Sequence, residues 1–461
     1  MIHTERLREN FALFDFALDD KEVRHPPSFV NKATLRLMLA NKPFDPSSNV
    51  TSRRLPIAPL AAPSRRHLSL AESARPIDEA CRPIYAVWEI TLACDQGCRH
   101  CGSRAGKARP DELSTKEALD LAEQIADLGV KEITLIGGEA YLREDWLEII
   151  QRFVRRDLIC TMTTGGRGLT VERARAAATA GLEGVSVSVD GIGATHDRLR
   201  ASSGSFDAAM MALTNARAAG LRISANTQIN QWNVHELSDL LELLLAHGVT
   251  AWQPQLTAAL GRAADEDDLL LEPWHLLDVI PELARLKERC ERAGALFWPG
   301  NSIGYYGPYE DALRGHLPGG HRGRCGAGIA ALGIEANGDV KGCPSLPSSV
   351  YVGANVRDAS LRDIWERAHA LRFARDQRAD DLSGFCKTCY YADECRAGCN
   401  FTAHVLLGKI GDNPLCHHRV LTLKEQGERE RIVRVAPAPG MPFDHGRFEI
   451  VREPWPTPPA S

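Results

Sequence analysis

Hydrophobic residues in the middle of the chain alternate between a strand pattern and a helix pattern. Short apolar runs, which are typical of buried strands, occupy 86–92, 132–136, 158–162, 184–189, 222–229 and 249–255. Between them, apolar residues recur at helical spacing, which predicts helices from Ser114 and over 146–154, 171–180, 206–219, 234–246 and 269–292. Strands and helices that alternate in this way build a parallel sheet with right-handed crossovers. The sequence therefore predicts an α/β fold of six strand–helix units.

The ends of these helices carry their own signals. Ser114 is followed three residues later by Glu117, which predicts a capping box at the start of the first long helix. Gly129, Gly181 and Gly220 follow the last apolar positions of three helices and predict their C-terminal ends. The boundaries of these helices are therefore indicated independently of the apolar pattern.

The regions on either side of these units differ in composition. Residues 1–80, which include a stretch rich in Pro, Ser and Arg at 43–66, are predicted to form an accessory extension. The strand–helix units are assigned to 81–300. Residues 301–425 contain many cysteines and a hairpin signal at 337–339, and they are assigned to a second, smaller unit. Residues 426–461 hold many prolines and little periodicity, which predicts a C-terminal tail.

Composition narrows the functional classes. The chain has 461 residues, of which 44% are apolar and 25% are charged, and its net charge is −5. These values are ordinary for a globular protein and favour neither nucleic acid nor a membrane as a partner. The sequence has no apolar run of about 18 residues and no signal-peptide pattern at its start, so we expect a cytoplasmic protein. Thirteen cysteines in such a protein favour metal binding or catalysis over disulfides.

Three of these cysteines form a cluster directly after the first predicted strand. Cys94, Cys98 and Cys101 have the spacing C-x3-C-x2-C and lie on a loop at the carboxyl end of that strand. Three thiolates can hold three corners of a four-iron cluster and leave one iron open for substrate, whereas a ferredoxin site uses four. The alternative is a chance cluster of ordinary thiols. The spacing favours a catalytic cluster.

Polar residues and glycines also gather at the carboxyl ends of the later strands, where α/β barrels place their chemistry. Gly137-Gly138-Glu139 follows the second strand, 163–166 (Thr-Thr-Gly-Gly) follows the third and Asp190-Gly191 follows the fourth. The same end of the sheet is therefore the predicted site.

The C-terminal unit contains a second cysteine pattern. It reads C-x12-G-x4-C from Cys325 to Cys343, then C-x2-C-x5-C-x3-C from Cys386 to Cys399, and it ends with Cys416. Thiolates at such spacings suit iron–sulfur clusters, and C-x2-C pairs also make zinc knuckles. Both remain open on the spacing alone.

Together, the triad, Gly-Gly-Glu, Ser-Val-Asp-Gly at 188–191 and the seven C-terminal cysteines resemble the radical S-adenosylmethionine superfamily, and within it the SPASM subfamily. The resemblance covers about residues 84–420. It implies a partial (β/α)6 TIM-like barrel followed by a small cysteine-rich α+β domain that binds auxiliary Fe–S clusters. It also implies a [4Fe–4S] cluster on Cys94, Cys98 and Cys101 that binds S-adenosylmethionine at its open iron. Reductive cleavage of this cofactor would give a 5′-deoxyadenosyl radical that abstracts hydrogen.

The resemblance extends to several residues around that cluster. Gly137 and Gly138 would let the backbone approach the cofactor, and Glu139 would pair with its ammonium. Arg200 would pair with its carboxylate as a fork. The remaining contacts fall on polar residues at strand ends: Thr163, Thr164 and Ser188 for polar groups, Asn226 and Gln228 for the ribose, and Gln253 or Gln255 near the adenine.

In the subfamily, the C-terminal cysteines hold two auxiliary clusters, expected as [4Fe–4S], with crossed ligation. Mapped onto this chain, cluster I would use Cys325, Cys343 and Cys399, and cluster II would use Cys386, Cys389, Cys395 and Cys416. Some relatives have an eighth cysteine before the first of these, and 291–324 contains none. The fourth position of cluster I would then be open, or filled by His321, His316, a carboxylate or the substrate. Pro344 stands where sulfatase maturases carry an Asp base, which argues against that role.

The resemblance implies a function in peptide maturation. We expect hydrogen abstraction from a ribosomally made peptide or small protein, which would install a crosslink, a thioether, an epimer or an oxidised bond. The electron donor would be a protein such as flavodoxin or ferredoxin. A small-molecule intermediate of the porphyrin or sugar type is the alternative substrate class. A non-enzymatic Fe–S electron carrier or zinc-binding protein is the rival from another class, and the open position of the triad argues against it.

Other residues have structural interpretations. Cys160 lies in an apolar strand and is expected to be buried and inert. Trp252 is expected in the core, and the acidic stretch 265–268 is expected to form a solvated loop. Tyr305, Tyr306 and Tyr309 either line a substrate groove between the domains or fill irregular packing.

Overall fold

The computed structural model describes residues 70–266, 268–300, 302–315 and 324–456. All of them lie in the larger of two units, His67–Ser461. The accessory extension predicted for 1–80 lies outside the described residues, except for 70–80. Within the described ranges, no helix is long and apolar enough to cross a membrane.

A sheet of ten strands carries the fold. The strands are β1 (Tyr85–Glu89), β2 (Glu132–Ile136), β3 (Ile159–Thr164), β4 (Gly184–Ser188), β5 (Arg222–Ile229), β6 (Ala251–Leu256), β7 (Leu296–Phe297), β8 (Ala331–Ile334), β9 (Asp339–Lys341) and β10 (Ala354–Asn355). Their order in the sheet is β10-β9-β8-β1-β2-β3-β4-β5-β6-β7, and β1 to β7 run parallel. Because β8 pairs with β1 in parallel, the C-terminal part of the chain extends the sheet that the first part begins.

Helices connect these strands. They are α1 (Pro76–Ala80), α2 (Thr115–Asp127), α3 (Trp146–Arg155), α4 (Val171–Ala180), α5 (Ala194–Arg200), α6 (Ser205–Ala218), α7 (Leu237–Ala246), α8 (Leu276–Arg292), α9 (Glu310–Arg314), α10 (Ser348–Tyr351), α11 (Leu361–Arg367), α12 (Phe373–Asp376), α13 (Gly384–Lys387), α14 (Ala392–Cys395), α15 (Asn400–Leu407) and α16 (His417–Glu425).

The two faces of the sheet differ in polarity. Along β3, Cys160 and Met162 are buried, whereas Thr161 and Thr163, which alternate with them, are half-exposed. On the buried side, Trp88 of β1 packs edge-to-face on Phe153 of α3, with 6.2 Å between the ring centroids. The helices therefore cover one apolar face, and polar side chains line the other.

Most of the predicted elements are confirmed, and so is the α/β class with its parallel sheet. Three of them, β2, α4 and β5, occupy the predicted ranges. The predicted capping box forms at the start of α2, where the N–H of Ser114 donates to Glu117 Oε2 at 2.8 Å. The helix predicted over 269–292 begins only at Leu276, because a 3-10 turn that opens with Pro273 precedes it. The short helix α5 was not predicted.

The segment predicted as a C-terminal tail, 426–461, contains regular structure that the sequence pattern did not predict. Two strands, β11 (Glu428–Ala436) and β12 (Arg447–Pro454), form an antiparallel pair. Charged side chains stabilise the pair, since Glu453 binds Arg429 at 2.7 Å and Arg431 at 3.3 Å. Strands lined with Arg and Glu lack the apolar alternation on which the prediction depends, so the pattern showed no strand there.

Candidate cluster and cofactor site

The loop that carries the triad leaves the carboxyl end of β1 and returns to it. The N–H of Cys94 donates to the carbonyl of Gly106 at 3.0 Å, and the N–H of Gly106 donates to that of Leu92 at 2.9 Å. Burial raises the pKa of the Cys94 thiol to about 12, with smaller contributions from the thiols of Cys98 and Cys101. Three thiols grouped in one closed loop fit a cationic metal centre, because such a centre stabilises thiolates.

Gly137 and Gly138 bring the turn after β2 against this loop. A Cβ on Gly138 would lie 2.2 Å from the carbonyl oxygen of Ala93 and 2.6 Å from Cβ of Cys94. A Cβ on Gly137 would lie 2.3 Å from the carbonyl oxygen of Thr91. These glycines therefore serve the close approach of two chain segments, and their approach to a cofactor stays a prediction.

Glu139 follows the two glycines and lies beside the first cysteine. The thiol of Cys94 and the carboxylates of Asp95 and Glu139 lie within 4.8 Å of one another. The hydroxyl of Thr164 and the N–H of Gly165, at 2.7 Å, both donate to the Glu139 carboxylate. Burial raises the pKa of Glu139 to about 7. A buried carboxyl held in this way fits the predicted pairing with a cationic group next to the triad.

Arg200 also reaches the triad, but through a contact other than the predicted one. Its guanidinium donates to Cys98 Sγ at 3.5 Å and forms a buried ion pair with Asp190. Both terminal nitrogens of the Arg200 guanidinium therefore have partners. Its Nε has none among the described residues. Sequence reasoning missed this role of Asp190, because only the fold brings it to Arg200 and the triad.

Four further predicted residues lie on the polar face of the sheet. In the strand register, Ser188 stands beside Asn226, and Asn226 stands beside Gln253. Thr163 stands beside Ser186, nearer the start of β4. All of these side chains are half-buried. The structure thus brings the predicted cofactor contacts onto one face, near the carboxyl ends of β3 to β6.

Cys325, Cys343 and Cys399, here called set I, come together from three separate segments. Burial raises the pKa of Cys325 to about 12, and the adjacent thiols of Cys399 and Cys343 contribute in the same direction. The cysteines expected to hold cluster I are therefore neighbours. His316 and His321, two candidates for its fourth ligand, lie outside the described residues.

Cys386, Cys389, Cys395 and Cys416, here called set II, line one small cavity. Burial raises the pKa of Cys386 to about 12 and that of Cys416 to about 11. The remaining walls are mostly aromatic and include Tyr305, Tyr306, Phe385, Tyr391 and His418. The two tyrosines at 305 and 306 thus pack around this set, which favours the packing interpretation over a substrate groove.

A run of left-handed residues separates the two sets. Cys395 ends α14, and residues 396–398 have φ values of 52°, 63° and 62°. A Cβ on Gly398 would lie 2.5 Å from the ring of Tyr305, so no larger residue fits there. The reversal turns the chain so that Cys395 joins set II, whereas Cys399, only four residues later, joins set I.

Other cysteines and aromatic residues serve the core. Cys160 is buried in β3, as predicted, and Cys290 is buried in α8. Trp252 is also buried, and its indole N–H donates to Thr227 Oγ1 at 2.8 Å, which confirms its place in the core. None of these side chains contributes to the site.

The acidic stretch predicted to be a solvated loop is exposed at Asp265 and Asp268, and it also binds the triad loop. Asp265 pairs with Arg104 at 2.6 Å, and Glu266 pairs with Arg99 at 2.9 Å. Asp444, from the segment that joins β11 to β12, also binds Arg104, at 2.7 Å. Two segments distant in sequence therefore hold the triad loop from outside.

Comparison with known families gives two matches. Residues 88–244 match the family described as the radical SAM superfamily, and this range contains the triad. Residues 325–390 match the SPASM family, described as an iron–sulfur cluster-binding domain. The second range contains four of the C-terminal cysteines, Cys325, Cys343, Cys386 and Cys389.

Individual relatives agree with these matches. The chain is 29% identical over 381 residues to the mycofactocin maturase MftC of Mycobacterium tuberculosis, covering 81% of this chain and 91% of that protein. It is 28% identical over 355 residues to the AdoMet-dependent heme synthase of Nitratidesulfovibrio vulgaris, covering 72% and 91%. The crystal structure of Streptococcus suis SuiB bound to the precursor peptide SuiA has a similar fold, with a TM-score of 0.53 at 15% identity, over 70% of this chain and 72% of that one.

Proposed function

This chain belongs to the radical SAM superfamily and carries a C-terminal SPASM domain, and from this membership we propose that it modifies a ribosomally made peptide or small protein. Enzymes of this class use S-adenosylmethionine and iron–sulfur clusters, and so does this protein. We assign the catalytic barrel to 81–300 and the auxiliary-cluster domain to 301–425.

The observation that carries the proposal is the arrangement of the thiols. Ten cysteines gather into the triad, set I and set II, and the triad lies beside the polar face of the sheet. We propose that the triad holds the catalytic [4Fe–4S] cluster. When bound, this cluster and S-adenosylmethionine supply a 5′-deoxyadenosyl radical that abstracts hydrogen from the substrate.

The residues around the triad would bind and orient the cofactor. The Glu139 carboxyl, held by Thr164 and Gly165, would receive the amino group. The row formed by Ser188, Asn226 and Gln253 would bind the hydroxyl and base groups through hydrogen bonds.

We propose that the C-terminal sets serve electron transfer and substrate binding. Set I would hold auxiliary cluster I, and set II would hold auxiliary cluster II. Burial among aromatic and apolar side chains suits clusters that exchange electrons. A flavodoxin or ferredoxin would supply the electron that the catalytic cluster needs.

The substrate class is supported by the relatives. A mycofactocin maturase is similar over 81% of this chain, and a protein of the same fold is known bound to its precursor peptide. We therefore propose that the substrate is a peptide, and that the modification forms a crosslink, thioether, epimer or oxidised bond.

A second candidate is the modification of a porphyrin intermediate. The similarity to an AdoMet-dependent heme synthase, at 28% identity over 72% of this chain, favours this candidate. The two candidates differ in which molecule loses a hydrogen atom to the cofactor.

The test uses the full chain, purified and reconstituted without oxygen. Iron and sulfide are counted, dithionite and S-adenosylmethionine are added, and 5′-deoxyadenosine is measured. Three four-iron clusters would give about twelve irons per chain, and about ten would indicate a smaller cluster I. Zinc in place of iron, with no cleavage after reconstitution, would overturn the enzymatic proposal.

The substrate is tested in the same reaction. A short peptide encoded by a gene next to that of this protein and a porphyrin precursor are each added, and mass spectrometry follows both; absence of such a gene counts against the peptide. A mass change in the peptide alone supports the proposal, whereas conversion of the porphyrin alone supports the second candidate. Cys290→Ala, which removes a core thiol outside all three groups, is the control for reconstitution.

A further inference from the structure

Asp190 lies two residues after the end of β4, and its side chain is almost fully buried. Oδ2 accepts hydrogen bonds from Arg200 and from His100 Nε2, the latter at 3.0 Å. Oδ1 accepts from the N–H of Gln228 at 2.8 Å. Burial alone would raise the pKa of Asp190, but Arg200 and His100 hold it below its usual range, so the group is an anion.

The two side chains that bind the Asp190 carboxylate, Arg200 and His100, both connect it to the triad. Arg200 donates to Cys98 Sγ at 3.5 Å, and it is itself buried. His100 lies in the triad loop between Cys98 and Cys101, and its Nε2 faces the Asp190 carboxylate at 3.0 Å. One carboxylate thus holds a guanidinium against a cysteine sulfur and also anchors the loop that carries this cysteine.

Backbone hydrogen bonds also connect the triad loop to the segment around Arg200. The N–H of Arg99 donates to the carbonyl of Leu199, at 2.8 Å, so the triad loop is bonded to α5 one residue before Arg200. Asn233 donates to the carbonyl of Asp190 at 2.7 Å, and the N–H of Asp190 donates to His196 Nδ1 at 3.1 Å. The backbone of Asp190 is therefore held by two side chains, which fixes the position from which its carboxylate extends.

The structural alternative is that the ion pair only attaches α5 to the sheet. That role does not require the guanidinium to reach a sulfur atom. A cation that donates to a ligand sulfur stabilises added negative charge, and hydrogen bonds to sulfur are among the factors that set cluster potentials. The effect is strong in a buried site, because little water screens the charge.

We propose that Asp190 is a positioning residue that holds Arg200 against Cys98 and thereby raises the reduction potential of the catalytic cluster. The inference rests on the proposed function, since it needs that cluster on the triad. It assigns Arg200 to the cluster sulfur, in place of the cofactor carboxylate that the resemblance implied.

The test measures the reduction potential of this cluster in the reconstituted full chain, without S-adenosylmethionine. Its EPR signal is identified as the one that the cofactor changes in a parallel sample. In Arg200→Gln the ratio of reduced to oxidised cluster at a fixed potential should fall about tenfold, which is about 59 mV for a one-electron couple. Asp190→Asn should lower it similarly, because the guanidinium is no longer held.

The double variant separates positioning from direct charge effects. If Asp190 acts through Arg200, adding Asp190→Asn to Arg200→Gln produces no further fall. Additive falls would overturn the positioning role. Arg200→Lys keeps the charge but cannot reach both partners as a fork, so its potential should lie between those of the wild type and Arg200→Gln.

The control is Asp78→Asn, which alters a buried carboxylate held by Arg372 and Arg375 away from the triad. It should leave the potential unchanged, and an equal shift would show a general effect of destabilisation. A normal potential in Arg200→Gln with weaker cofactor binding would overturn the inference in favour of a cofactor contact. Absence of any cluster in the wild type would instead overturn the proposed function.

Discussion

The triad loop and the C-terminal cysteines gather thiols in opposite ways. The triad comes from one loop after β1, and its short spacing places the three thiols in one segment. Sets I and II come from segments spread from Cys325 to Cys416, and they are separated by the reversal at 396–398. A local motif therefore builds the first group, whereas the folded domain builds the other two.

Their surroundings differ as well. Charged groups, among them Asp190, Arg200 and Glu139, lie close to the triad. Aromatic rings lie around set II, where Tyr306 stacks on Tyr391 with 4.3 Å between centroids. A cluster that binds a charged cofactor needs polar partners, whereas a cluster that only exchanges electrons is served by apolar burial. This difference supports the proposal that the triad performs the chemistry.

The largest effect should follow from removing a triad thiol. Cys98→Ser should lower cleavage of S-adenosylmethionine to background, at least about a hundredfold, because the cluster that we propose on the triad would lose one of its three protein ligands. The measurement is the rate of 5′-deoxyadenosine formation under dithionite. Cys290→Ala should retain the wild-type rate. Equal losses in both variants would contradict the distinction between the triad thiols and a thiol of the core.

An added methyl group should be tolerated in the triad loop but not at the reversal. Gly398→Ala would place Cβ 2.5 Å from the Tyr305 ring at a φ of 62°, so we expect loss of iron from sets I and II, about eight atoms per chain. Gly97→Ala in the triad loop meets nothing within 4 Å and should keep its iron. Full iron content in Gly398→Ala would show that the reversal is not required.

A buried ion-pair network lies between the two regions. Lys341 is fully buried, and its ammonium binds Glu335 at 3.0 Å and the carbonyls of Pro344 and Leu346 at 3.0 and 2.8 Å. The last two residues follow Cys343, so this lysine holds the chain beside set I. Glu335 also binds Arg109, which in turn contacts Glu89 of β1.

Removing one charged partner of this network should lower stability more than removing both charges together. Lys341→Met alone should lower the free energy of unfolding of the iron-free protein by about 3 to 5 kcal/mol, because it removes the ammonium that faces buried Glu335. The double variant Lys341→Met/Glu335→Gln should recover part of this loss. Urea denaturation measures both, and equal losses would indicate packing rather than charge.

The smallest effect concerns pH. Burial raises the pKa of Glu89 to about 8, although Arg109 at 3.7 Å opposes this shift. The neighbouring Glu335 differs, because Lys341 and Arg109 lower its pKa to about 2 in spite of its burial. Between pH 4.5 and about 8 the folded state keeps a proton on Glu89 that the unfolded chain has released, so stability falls as pH rises through this window.

Glu89→Gln should remove this dependence. The quantity to measure is the Tm of the iron-free wild type minus the Tm of the iron-free variant. We expect this difference to be smaller at pH 8 than at pH 5. The same difference at both pH values would contradict the raised pKa of Glu89.

Much of the fold was predictable because its signals are local. The capping box at Ser114 and the strand Arg222–Ile229 depend on residues near one another in sequence, and both form as predicted. The helix Ala194–Arg200 is short and has no side-chain N-cap, so no local signal marks it. The hairpin of β11 and β12 was missed because its strands are stabilised by ion pairs between charged side chains.

By itself, the sequence determined the α/β class, the triad and the list of cysteines in the C-terminal unit, since spacing and periodicity are properties of short segments. The tertiary structure decided which side chain Arg200 binds and how closely the seven C-terminal cysteines approach one another. It also brought Asp265 and Asp444 to Arg104. The physical reason is that ion pairs and thiol groups of this kind depend on distance in space, which only the packing of the whole sheet and its reversals sets.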